Sequence, residues 1–251
     1  MFLRYFVELS YNGRNYHGWQ IQPNAISVQE TIENALSLLL AEKIQVVGCG
    51  RTDSGVHASQ FYLHFDTKHD IDKKKLKFKL NAFLPPDIVI FQILKVKDDA
   101  HARFDALSRS YEYRISLRKD AFLIDTAWLM QGQDIDLLKM NSAARLLLEY
   151  QNFKCFSKVK TDVKTFDCKV EKAIWKKDGD LLVFYITANR FLRNMVRAIV
   201  GTLIDVGTHK ISISDFKKII ETKDRTKAGV SAKAKGLFLT KVVYPKNKLK
   251  E

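Results

Sequence analysis

The sequence predicts an α+β protein of two similar halves, each an antiparallel sheet with packed helices, the two sheets sharing a cleft. Three observations carry this expectation. Period-two alternation and helical periodicity recur in the same broad order in both halves. No GxGxxG or GxxxxGKS/T loop opens a helix, so a nucleotide-binding parallel sheet lacks its usual signature. At 251 residues the chain can form one large domain or two small ones, each able to bury a core.

The opening strand is expected where Leu3, Tyr5, Val7 and Leu9 alternate with Arg4, Phe6, Glu8 and Ser10. A polar, aromatic loop follows, from Tyr11 to Pro23. Ser27 with Glu30 makes a capping-box pattern for a helix from about Val28 to Ala41, with Ile32, Ala35, Leu36, Leu39 and Leu40 as its apolar face. Apolar runs at Ile44 to Val47 and Phe61 to Phe65 predict two strands around a glycine-flanked loop. A strongly basic helix is expected over Asp72 to Phe83, ended by Pro85-Pro86, and a strand over Ile88 to Val96.

The second half repeats the theme. Ser110 to Leu117 reads as a strand, Asp134 to Leu148 as a helix, and Lys169 to Lys176 and Leu181 to Ala188 as a hairpin turning at Asp178-Gly179-Asp180. Phe191 to Val206 reads as a long helix, Ser214 to Glu221 as a short one, and Gly236 to Tyr244 as the closing strand. The join falls between about Val96 and Ser108, with no low-complexity linker, so the halves are expected to pack closely. The N-terminal part, 1–100, then carries the glycine-flanked loop, and the C-terminal part, 101–251, carries the tyrosine strand and the arginine helix.

Composition narrows the partner. Lys and Arg number 42 against 28 Asp and Glu, a formal charge of +14, which suggests a polyanion such as nucleic acid or an anionic membrane surface. Basic residues cluster at Lys68, His69, Lys73, Lys74, Lys75, Lys77 and Lys79, at Lys154, Lys158, Lys160 and Lys164, and at Lys233 and Lys235. Phosphate-backbone contact accounts for such clusters better than a merely solvated face at this net charge. Tyr11, Tyr16, Trp19, Tyr111 and Tyr113 interleave with them and could stack on unpaired bases, although either Tyr111 or Tyr113 could be core. An RNP1 pattern and the HxE and PCxxC elements of zinc deaminases are missing. No secretory leader precedes the first strand, no apolar run reaches bilayer length, and Cys49, Cys155 and Cys168 form no CxxC pair. These features point to a reducing cytoplasm, no membrane anchor and no zinc.

The densest chemistry lies in Gly50-Arg51-Thr52-Asp53-Ser54-Gly55-Val56-His57-Ala58. Nothing between Arg51 and Ser54 is apolar, so packing did not select it; a plain polar turn is the ordinary alternative. Farther along, Phe191-Leu192-Arg193-Asn194-Met195-Val196-Arg197 puts two arginines four apart at a predicted helix start. Arg197 sits among apolar neighbours where an unpaired charge is costly, and a bidentate pair with Asp53 would satisfy it.

Taken with Tyr11-x-Gly13-x-x-Tyr16-x-Gly18-Trp19-Gln20-x-Gln22, Ala102-Arg103-Phe104-Asp105-Ala106 and Arg109-Ser110-Tyr111-Glu112-Tyr113-Arg114-Ile115, these blocks resemble the tRNA pseudouridine synthases of the TruA type, in order and over nearly the whole chain. One departure is the stretch Ala228 to Lys235, which lacks the prolines expected before Gly236-Leu237. The resemblance implies two α+β subdomains meeting at a basic central cleft, a homodimer, no cofactor and no metal. It implies isomerisation of uridine to pseudouridine at positions 38, 39 and 40 of the tRNA anticodon arm. Asp53 is then the catalytic carboxylate, Tyr111 the residue stacking on the target base, and Arg197 the partner of Asp53. Arg51 fills the gap left by a flipped nucleotide, and His57 and Arg103 join the substrate-binding residues. Two other readings stay open at this point: a related synthase acting on another RNA, and a non-catalytic RNA-binding protein on the same scaffold.

Overall fold

The computed structural model describes residues 2–159 and 163–249. Lys160, part of one expected basic cluster, lies outside them. The architecture is α+β, as expected. The chain divides into two compact units, one comprising the residues up to Leu107 together with those from Leu239 onward, the other Ser108–Phe238.

In the first unit β1 (Leu3–Tyr11) is central and buried along most of its length. A single 3-10 turn, Gly13–Asn15, follows it, and α1 (Val28–Leu40) begins where the Ser27 side chain accepts from Glu30 N–H. Ala41, left-handed at φ 50°, ends this helix one residue earlier than its apolar pattern suggests. The short β2 (Val46–Gly48) leads into the glycine-flanked loop, and β3 (His57–Thr67) leaves it. α2 (Lys73–Phe83), capped by Asp72, buries only Leu76 and Leu80 and turns its lysines outward. β4 (Ile88–Val96) completes the set. β1 pairs antiparallel with both β3 and β4, and β2 pairs antiparallel with β3 through Val46↔Phe65 to Gly48↔Leu63.

The second unit starts with β5 (Ser108–Ser116), to which the two-residue β6 (Trp128–Leu129) adds in parallel. α3 (Leu137–Leu146) precedes the hairpin of β7 (Val170–Asp178) and β8 (Leu181–Ala188), and β8 also pairs antiparallel with β5. α4 (Met195–Gly207) is almost wholly buried, while α5 (Ile213–Thr222) carries a full Ser212–Asp215 capping box. The closing β9 (Leu237–Val243) runs beside β3. From Leu239 onward the chain belongs to the first unit, within which Val242 N–H donates to Gln60, the Tyr244 hydroxyl to Ala102 O, and Lys248 pairs with Asp99.

The arginine helix needs correction. It starts at Met195 rather than Phe191, because Asn194 is left-handed at φ 66° and breaks the periodicity that Leu192 seems to continue in the sequence. Arg193 therefore precedes the helix, exposed, and only Arg197 is helical. Tyr11, Tyr16 and Trp19 are corrected too. At 3%, 5% and 2% exposure they are core residues and not platforms for bases. Cys49, Cys155 and Cys168 are buried and in no disulfide, and burial pushes the Cys155 thiol up to about 12 and Cys168 to about 11.

Candidate active site

Asp53 sits on a loop held from below by the chain that follows β1. Trp19 N–H donates to Thr52 O at 3.2 Å, Gly55 N–H to Tyr16 O at 3.2 Å, and Val56 N–H to Asp53 O at 3.1 Å. The Tyr11 and Thr52 hydroxyls meet at 2.9 Å. Two contacts demand glycine. A Cβ on Gly18, already at φ +93°, would lie 2.4 Å from Thr52 O, and one on Gly13 would lie 2.0 Å from Val56 O. Gly55 takes φ +76° where the loop turns into β3. The two sequence blocks around Gly18 and Asp53 are thus one built object.

His57 is placed under this loop. It is 1% exposed, and its Nδ1 accepts from Gly13 N–H at 3.1 Å, which requires that nitrogen to be unprotonated. A second tier supports the first. Asp87 accepts from the Tyr16 hydroxyl at 2.6 Å and from Asn15 Nδ2 at 3.1 Å, while its carbonyl accepts from Asn12 N–H at 2.9 Å. Burial and the Asp87 carboxylate both push the Tyr16 hydroxyl well above its ordinary range, so it stays a donor. Trp19 stacks on Phe61 at 4.1 Å, and Gly48 leaves room for its indole.

Above the loop, Asp53 is half-buried and Arg51 is exposed. Arg51 and the exposed Arg103 line one cavity of about 200 Å³, with Trp19, Gln20, Gln29 and Gly50. The first unit therefore brings Arg51 and Arg103 to one cavity, two residues along the chain from Asp53, and buries His57 against Gly13. Gln20 belongs to a block singled out in the sequence, whereas Gln29 was not legible there. Gln20 Nε2 donates to Gln29 Oε1 at 2.9 Å, and Gln29 Nε2 donates to Glu33 and to Val46 O.

In the second unit Tyr111 is half-buried on β5, opposite Ile186, with its ring edge-on to Phe191 at 5.1 Å and 87°. Tyr113, two residues on, is the core member of the pair. It is fully buried, donates to Lys233 O at 2.7 Å, and is pushed well above the ordinary phenol range by burial, which the charge of Arg197 partly opposes. Arg197 is half-buried near the start of α4. Its Nε donates to Ala232 O at 2.8 Å, and Ala232 N–H donates back to Arg197 O at 3.0 Å.

The proline-poor stretch before Gly236 takes its shape from α4. Gly229 N–H donates to Thr202 Oγ1 at 3.0 Å, and Asn194 Nδ2 donates to Ser231 Oγ at 2.7 Å. Arg225 gathers Ala228 O, Gly229 O and Ser231 Oγ. Gly201 must be glycine here, since a Cβ would fall 1.8 Å from Val230 O. The unusual loop thus leaves the arginine firmly held.

No described helix is long and apolar enough to cross a membrane. Comparison with known proteins adds the family. Residues 9–105 and 143–245 match the family model described as tRNA pseudouridine synthase. A Parabacteroides distasonis protein named tRNA pseudouridine synthase A is 49% identical over 243 residues, which cover 96% of each chain. Its namesake from Bacteroides thetaiotaomicron is 50% identical over 247 residues, 97% of this chain and 91% of that one. One from Clostridium acetobutylicum is 42% identical over 243 residues, 95% and 98% of the two chains.

Proposed function

The chain belongs to the tRNA pseudouridine synthase family, and from that membership we propose that it isomerises uridine to pseudouridine in the anticodon arm of tRNA, at positions 38, 39 and 40. The observation that carries the reading is Asp53, the only carboxylate in Gly50 to Ala58, on a loop fixed by backbone contacts at Thr52 and Gly55.

Isomerisation breaks the N1–C1′ bond, turns the uracil and joins C5 to C1′, with the C5 proton leaving and N1 gaining one. Atoms and charge balance without a donor or an oxidant. The step asks for an anionic group held at the sugar, a need that Asp53 meets in one of two ways, as a nucleophile at C1′ or as a base on the ribose. A glycoside hydrolase would instead need two carboxylates and an admitted water.

Around this carboxylate we assign roles by position. Tyr111 stacks on the extruded uracil, with Phe191 fixing its ring. Arg197, its Nε held by Ala232 O, pairs with Asp53. Arg51 occupies the space the flipped base vacates, which helps offset an unstacking cost of a few kcal/mol. Arg103 binds RNA beside Arg51, and His57 braces the loop from below. The active form is a homodimer in a reducing cytoplasm, the latter in keeping with three free cysteines.

The test is to incubate purified protein with an unmodified tRNA transcript and map pseudouridine by position. Product at 38, 39 or 40 is expected from the native protein. The Asp53→Asn protein is expected to bind the transcript and make none; product from it would refute the assignment of Asp53.

A further inference from the structure

Two cavities open along β2 in the first unit. The smaller is the one shared by Arg51 and Arg103. The larger, about 520 Å³, is lined by Arg4, Lys43, Gln45, Val47, His64 and Asp66, with Phe65. Val47 belongs to both linings and is 39% exposed, so the cavities are neighbours. No described strand pairs with β2 except β3.

The polar groups of the two cavities suit one kind of occupant. Arg51 and Arg103 face the first and Lys43 the second. The one carboxylate in either lining, Asp66, is ion-paired with Arg4, whose Nε and Nη2 each donate to it at 2.7 Å. His64 supplies an accessible donor on an otherwise buried ring. It is 4% exposed and its Nδ1 accepts from Ala102 N–H at 3.1 Å, which puts the neutral ring's proton on Nε2. That Nε2–H has no hydrogen-bond partner among the described residues. Cations at intervals, an imidazole donor and an amide at Gln45 match a chain that repeats an anion and offers oxygen acceptors between. RNA is such a chain, and Arg51 stands two residues from Asp53, where the substrate strand must pass.

We propose that β2 floors a groove for the RNA strand adjoining the target nucleotide. One neighbouring nucleotide occupies the Arg51–Arg103 cavity, and the next crosses Val47 to place its phosphate on Lys43 and an oxygen acceptor on His64 Nε2–H. This rests on the function proposed above, and assigns it a binding track that Asp53, Tyr111 and Arg197 do not supply.

The experiment measures KM, kcat and direct binding of an unmodified tRNA transcript across a salt series, for the native protein, Lys43→Glu and Val47→Trp. Lys177→Glu, on the exposed part of β7, is the charge control. Lys43→Glu should raise KM and Kd three- to tenfold, act on KM rather than kcat, and lower the salt slope by about 0.7, the value for one lost single-strand phosphate contact. Val47→Trp should raise KM similarly at unchanged slope, by blocking the passage. Lys177→Glu should change neither. Native KM, Kd and slope in Lys43→Glu would overturn the groove, as would an effect equalled by the control. Loss of self-association with native RNA binding would do so too, giving this face to a second copy of the chain. Failure of the native protein to make pseudouridine would refute the proposed function, while the binding series would still decide the groove.

Discussion

Arg197 and Ala232 hold one another through two hydrogen bonds, Nε to carbonyl at 2.8 Å in one direction and backbone N–H to carbonyl at 3.0 Å in the other. The side chain of a helix and the backbone of a loop thereby set each other's position. The guanidinium is aimed by its Nε.

Lysine cannot reproduce that arrangement, since a single ammonium cannot bond the Ala232 carbonyl and also present a two-pronged fork. Arg197→Lys should lower single-turnover pseudouridine formation by roughly 10- to 150-fold, the equivalent of about 1.5–3 kcal/mol for a charge-assisted hydrogen bond. A rate within twofold of native would exclude the pairing with Asp53.

Glycines near the Asp53 loop should respond unequally to the same change. Gly18→Ala puts a methyl 2.4 Å from Thr52 O at a positive φ, and should cost about 2–4 kcal/mol in urea unfolding. Gly50→Ala meets nothing within 4 Å and should stay within about 0.5 kcal/mol of native. Equal costs would contradict the close approach described at Gly18.

Tyr111 offers a separation of ring from hydroxyl. Tyr111→Phe keeps the edge-on contact with Phe191 and should hold the transcript with native affinity. Tyr111→Ala removes the stacking surface and should weaken binding by about 1–3 kcal/mol in a filter assay. If the alanine protein binds as tightly as native, Tyr111 does not stack on a base.

Acid should loosen the first unit through His64. Its burial, the charge of Arg4 and the neighbouring His101 ring hold it at about 4, against smaller opposing effects of Asp66 and Asp105. An unfolded chain takes up that proton near pH ~6.5, the folded one near pH 4, so the unfolded state binds more protons between them. Stability therefore falls as pH drops through this window, by on the order of 1–2 kcal/mol, and levels off below it. Asp66, held low by Arg4, adds its own loss at lower pH still. Urea unfolding at pH 7 and pH 4.5 measures the first step, and equal midpoints would exclude it.

The legible parts of the sequence were those where local chemistry dictates local form. Ser27 and Asp72 start their helices, Pro85-Pro86 follows α2, and Gly50 to Ala58 stands out because nothing apolar explains it. What could not be read depends on contacts between distant residues. Tyr11, Tyr16 and Trp19 look like base platforms until their packing against Phe61 and Asp87 is visible. Asn194 interrupts an unbroken apolar pattern by a backbone turn that periodicity does not register. His64 is one histidine in a long strand, and its meaning lies in an amide 38 residues away.

The brace under Asp53 is made mostly of main-chain atoms: Gly13, Tyr16, Gly18 and Trp19 on one side, Thr52, Gly55 and Val56 on the other. Such a joint transmits no information about which side chains its members carry, only that three of them carry none. The other residues of the loop can therefore be exchanged to alter its chemistry without disturbing its position, provided Gly13, Gly18 and Gly55 stay. For an engineer, the place to vary this enzyme is Arg51 to Ser54, and the place to leave untouched lies some forty residues upstream.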